Sequence, residues 1–257
     1  MDINLEKPKI DWTNFQVLNE YNKSSYLFSL DESLVKKDTL NSTDYFNWAK
    51  EDLHNNNNKI PVKTRVEIIS NIKRAIDCKC EYILKELGFL QEINKKNYLD
   101  AFKNIEGDTS PSMSLISYLT DLNIVVVEEI RKLRNKTEHD YCIPSIEDVR
   151  RSVCVGELFL LAIKSKLENI RFFSTISCEK NEEKLQIGLY KDNKSSCIKI
   201  NNIKLYPQDK YYCELLRILI TGNFNELPKL YGCATPVKYI RFKEYYDSDD
   251  KIGRAHV

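Results

Sequence analysis

The spacing of apolar residues changes once along this chain, and that change limits the folds open to it. From Pro61 to about residue 170 they return every three or four positions, the step of a helix with one buried face. Beyond that point Leu185, Ile187 and Leu189 alternate with Gln186, Gly188 and Tyr190, the step of a half-buried strand. The expected fold is therefore mainly α, a helical core over residues 59–170 followed by a small α+β part over 171–251. Residues 1–58 form an N-terminal accessory segment whose aromatic side chains (Trp12, Phe15, Tyr21, Tyr26, Phe28) suit packing better than a free tail.

Local signals place the element ends. Ser42-Thr43-Asp44 caps a short helix running through Leu53, and the Asn55–Asn58 run is a polar break. Pro61 opens a long helix carrying Val66, Ile69, Ile72, Ile76 and Ile83, with Gly88 as its stop. Tyr98, Phe102 and Ile105 mark a shorter helix. Ser110-Pro111 opens one predicted to continue unbroken through Leu133 and, being apolar over much of its circumference, to lie centrally. Pro144 breaks the chain, and Ser145-Ile146-Glu147-Asp148 reads as a capping box for a last helix through Leu167. Phe172–Cys178, Cys197–Leu205 and Val237–Tyr245 are further strands, and Tyr211–Ile220 is a helix closed by Gly222.

Composition narrows the function. A net charge of +1 excludes a dominant, non-specific polyanion binder but leaves room for a local basic cleft. No apolar run approaches the ~20 residues of a membrane span, and the first residues carry no basic-then-apolar export signal. The 8 cysteines lack a Cys-x-x-Cys pair, so reduced thiols in a cytoplasmic protein are expected, with neither metal nor other cofactor. The final residues Ile252–Val257 match the in-frame translation of a common sequencing adapter. They are expected to be a non-native tail, and His256 carries no weight.

Chemistry concentrates at Arg134-Asn135-x-x-x-His139-x-Tyr141, directly after the most apolar stretch. A histidine can take or give a proton near neutral pH. Arginine offers fixed planar donors to phosphate oxygens and stays charged. Arg150 and Arg151 follow at the head of the next helix, where they can line the same cleft.

These residues resemble the signature of the HEPN superfamily (higher eukaryotes and prokaryotes nucleotide-binding domain). The resemblance covers residues 60–170, and the Asn after the Arg and the Tyr after the His are similar to the bacterial toxin branch. It implies an up-and-down helical bundle that dimerises, with the Arg and His in a cleft between protomers. It also implies a metal-independent endoribonuclease of toxin or anti-phage defence systems, in which the RNA 2′-OH attacks the adjacent phosphorus. Arg134 would then stabilise the phosphorane, His139 move the proton and Asn135 position the phosphate or the imidazole. Tyr141, Arg150 and Arg151 would bind RNA. In that branch a partner nucleotidyltransferase antitoxin can adenylylate the tyrosine, which makes Tyr141 a candidate modification site and an antitoxin or other defence protein a candidate partner.

The same residues also fit plainer roles. Arg134 and Glu138, four apart, suit an ordinary helical ion pair; His139 suits a helix C-terminus, where a cation is favoured; and Tyr141 can simply pack. A non-catalytic nucleotide-sensing or scaffold subunit of a defence complex is the alternative function. Glu128 and Glu129 read as a solvated helix face, and Lys238–Lys243 as a surface strand or an RNA-binding one.

Overall fold

The computed structural model describes residues 15–21, 39–56, 59–90, 110–168, 172–178, 181–192, 195–209, 211–231 and 240–245. The expected helix over Tyr98–Ile105 and the tail 252–257 lie outside these residues. The chain is mainly helical and divides into two compact units, residues 30–165 and residues 1–29 with 166–257. That division splits the expected accessory segment 1–58 between the units.

In the helical unit, α1 (Ser42–Asn56) packs along α2 (Val62–Glu86), which also contacts α3 (Pro111–Thr120) and α4 (Val125–His139). The fifth helix, α5 (Ile146–Glu168), begins in this unit. Asn41, one residue earlier than expected, caps α1. Its Oδ1 accepts the Thr43 and Asp44 amides at 2.8 and 3.2 Å, while the Asp44 carboxylate accepts the Asn41 amide at 2.9 Å. At the end of α2, Gly88 takes φ +81°. The Phe89 amide reaches the Leu84 carbonyl and the Gly88 amide the Lys85 carbonyl, closing the helix as a glycine C-cap requires.

The helix expected from Ser110 to Leu133 is two helices. Asp121 adopts a left-handed conformation (φ 55°) that ends α3, and the Asn123 side chain accepts the Val125 amide at 2.9 Å to start α4. The central helix is α2. Its Ile68, Ile69, Ile72, Ala75, Ile76, Ile83 and Leu84 are buried, whereas α4 buries only Val127 and Ile130 and leaves Val125 and Val126 exposed.

The other unit is built on a sheet ordered β5-β4-β3-β2-β1-β6. It comprises β1 (Phe15–Tyr21), β2 (Phe172–Cys178), β3 (Asn181–Asp192), β4 (Ser195–Ile200), β5 (Ile203–Leu205) and β6 (Ile240–Tyr245). All neighbours are antiparallel except β1 and β6, which run parallel. Buried Val17 of β1 lies opposite buried Ile176 of β2, so the N-terminal strand completes a sheet otherwise made after residue 171. On β3, Leu185, Ile187 and Leu189 are buried while Lys184 and Gln186 are exposed, as the alternation predicts. Helix α6 (Tyr212–Thr221) packs on β3 and β4, burying Leu215, Leu216, Ile218 and Leu219 among others, and Gly222 ends it in the left-handed region; a short α7 (Leu227–Leu230) follows.

Burial, reinforced by the neighbouring Glu214 carboxylate, pushes the Cys213 thiol up from 9.0 to about 12. Burial alone pushes the Tyr231 phenol from 10.0 to about 12. Both groups hold their protons in the fold at a pH where the unfolded chain has released them. Their contribution to stability is complete below pH 9 and is lost as pH climbs from there toward 12. The melting temperature should therefore fall between pH 8.5 and 11, less steeply in Cys213→Ala. Equal pH slopes for the two proteins, followed by circular dichroism, would refute this.

Candidate functional site

The motif occupies the last two turns of α4 and the loop that follows. Each five-residue step turns an ideal helix by roughly 140°, so Arg134 and His139 sit on different sides of α4. Asn135 and His139, four apart, share one face. Arg134 is partly buried and ion-paired to Glu138 one turn on; its Nη1 also donates to Asn135 Oδ1 at 3.3 Å. The plain helical pair anticipated for Arg134 and Glu138 is thus present. His139 is exposed at the C-terminal end of the helix.

The loop after α4 is held at both ends. The Lys136 carbonyl accepts the Asp140 and Cys142 amides at 3.0 and 3.2 Å. Arg65 of α2 donates from Nη1 to the carbonyl of buried Pro144 at 2.8 Å. Ser145 and Asp148 then form the expected capping box: the Asp148 amide donates to Ser145 Oγ at 3.0 Å and the Ser145 amide to Asp148 Oδ2 at 3.1 Å. Between these anchors Tyr141 adopts φ 54°, a conformation that costs a bulky L-residue roughly 1–2 kcal/mol. The residue is 87% exposed, so its own packing does not offset that strain.

Arg150 and Arg151 are exposed on the first turns of α5. Arg151 pairs with Glu129 of α4 at 2.9 Å. That pair lies at a groove between α4 and α5, about 100 Å³, bordered by Val126, Leu133 and Val155. A second, small pocket, about 20 Å³, lies on another side of α4, between it, α2 and α3. None of Arg134, Asn135, His139 or Tyr141 lines either one. The motif therefore stands open on the surface, and among the described residues nothing brings Arg134 and His139 against a common groove.

Two features escaped the sequence. Glu128, expected on a solvated face, lines the α2–α3–α4 cavity together with Arg131. Arg131 Nη1 is buried there without a hydrogen-bond partner. An arginine three residues before the motif gave no sign of this, because the cavity depends on where α2 and α3 lie. Among the described residues no three His, Cys, Asp or Glu side chains converge to hold a metal, and no helix is long and apolar enough to cross a membrane. Comparison with protein-family models, curated proteins and solved structures finds no match, so the side chains just described carry the functional argument by themselves.

Proposed function

We propose that this chain is a HEPN-type, metal-independent endoribonuclease that works as a homodimer in a cytoplasmic toxin or anti-phage defence system. The observation that carries the proposal is the open end of α4. There an exposed imidazole stands beside an amide, and the neighbouring guanidinium is held by a carboxylate that a phosphate can displace. A partly exposed pair of this kind is worth at most about 1 kcal/mol, so exchanging Glu138 for an RNA phosphate costs little.

Transesterification needs a base for the 2′-OH, an acid for the departing 5′-oxygen and positive charge on the phosphorane. One histidine per chain cannot supply base and acid at once, and two His139 side chains across a two-fold axis can. Outward-facing apolar residues support self-association: Val125 and Val126 on α4, and Leu158 and Leu161 on α5, are exposed to 58, 44, 67 and 57%. The strained loop that throws the Tyr141 phenol outward suits contact with RNA, or access by an adenylylating antitoxin.

Incubating the protein with RNA in excess EDTA tests the chemistry. Expected products carry 2′,3′-cyclic phosphate and 5′-hydroxyl ends. Cleavage that stops in EDTA, or products with 5′-phosphates, would refute the mechanism. The separation of Arg134 from His139 around α4 favours the alternative of a nucleotide-sensing or scaffold subunit. In that case wild type and His139→Ala bind RNA alike and neither cuts it.

A further inference from the structure

We propose that Arg65 of α2 is a positioning residue for the motif: it holds the α4–α5 loop in the form that keeps the end of α4 closed and Tyr141 turned outward. Arg65 Nη1 donates to the Pro144 carbonyl at 2.8 Å, across 79 positions of sequence. Pro144 is buried and has no amide to donate, so its carbonyl is the backbone group it has left for a tie to the rest of the unit. Arg65 Nε is buried without a hydrogen-bond partner among the described residues. Burying one edge of a guanidinium dry is costly, and helix formation does not ask for it, since a long cationic side chain can reach water from a helix surface. The bond to Pro144 is what this placement gains. One turn further along α2, Ile68 and Ile69 are buried, so the loop is tied to the central helix of the unit.

The other end of the loop closes on α4. One carbonyl, that of Lys136, accepts the amides of both Asp140 and Cys142. Tyr141 sits between them in the left-handed conformation, at the position where such helix closures favour glycine. A tyrosine there strains the backbone, and its exposed side chain gives no packing in return. Without a second tie the loop can relax, release the Cys142 amide and unwind the last turn of α4, the turn that carries His139. A hydrogen bond from a charged donor to a buried carbonyl matches or outweighs the strain of one left-handed residue. Arg65 therefore acts on His139 and Tyr141 through the backbone, from a helix outside the motif.

This inference rests on the ribonuclease proposal for what the loop serves, but not for how the loop is held, so two readouts separate them. The first is amide hydrogen exchange in the full chain, well below its melting temperature. Arg65→Gln should speed exchange at Asp140 and Cys142 by roughly tenfold to a hundredfold, while Ile72 in the middle of α2 keeps its protection. Arg65→Lys, which keeps the cation and drops the dry Nε, should retain most of the protection. Adding Tyr141→Gly to Arg65→Gln should restore slow exchange at Cys142, because glycine removes the strain that Arg65 offsets. Unchanged exchange in Arg65→Gln, or equal acceleration at Cys142 and Ile72, overturns the proposal. The second readout is RNA cleavage, where Arg65→Gln should lower kcat by roughly tenfold to a hundredfold and Arg65→Lys should recover most of it. An unaltered kcat in Arg65→Gln, with Cys142 released, also overturns the positioning role. The expected exchange pattern in a protein that cuts no RNA removes the nuclease reading and leaves the hold of Arg65 on the loop.

Discussion

Replacing His139 by alanine should lower the rate of RNA cleavage by roughly 10²–10⁴-fold, the usual worth of a positioned proton-transfer group. The fold should be unaffected. The side chain is exposed at the end of α4, so its loss opens no cavity and strands no buried partner. Arg134→Ala should cost a similar factor by removing charge from the phosphorane. Arg134→Lys should recover only part of it, because a point charge lacks the planar, paired donors that match phosphate oxygens. Both Arg134 variants also break the ion pair with Glu138, so Glu138→Gln is the needed control: it breaks the same pair and leaves the guanidinium free for RNA. Initial rates on a labelled oligonucleotide, with melting curves for each variant, separate these outcomes. His139→Ala retaining more than about a tenth of the wild-type rate would remove the imidazole from the chemistry.

The parts of this structure visible in the sequence are those fixed by neighbours along the chain. Ser110-Pro111, Gly88 and the Ser145–Asp148 box each act within one helical turn, and each ends or starts a helix where expected. The alternation on β3 is equally local. Three features were not visible, and each depends on contact between distant segments. The apolar spacing from Leu115 to Leu133 continues straight through residues 121–124, so the left-handed Asp121 that breaks it left no gap in the pattern. The pairing of β1 with β2 joins residues some hundred and fifty positions apart, and no periodicity in either segment encodes it. At the site, the Arg134–Glu138 pair could be read from a four-residue step, but the orphaned Arg131 donor could not, since its burial comes from other helices.

The second large effect concerns the seat of α5, whose first turn carries the capping box and the two arginines after the motif. Gly156 should resist even alanine. A methyl at this position would meet Ile72 Cγ2 at 2.7 Å and Phe46 Cε2 at 3.6 Å, so α1, α2 and α5 converge where only a hydrogen fits. Taken alone, Gly→Ala inside a helix stabilises by about 1 kcal/mol. Here the clash outweighs that gain. Ile72 is fully buried and branched at Cβ, so its methyl cannot swing aside without moving its neighbours, and forcing a methyl into such a site costs typically 1–3 kcal/mol. Gly156→Ala should therefore lower stability by about 1–2 kcal/mol on balance, and Gly156→Leu should prevent this unit from folding. A double-mutant cycle isolates the contact. Ile72→Ala alone should cost about 2–5 kcal/mol through the space it empties. Combined with Gly156→Ala it should cost less than the sum, because the new methyl then occupies that space. Urea unfolding of the four proteins measures the coupling; strictly additive losses, or a stabilised Gly156→Ala, would show that α2 and α5 approach each other less closely than this.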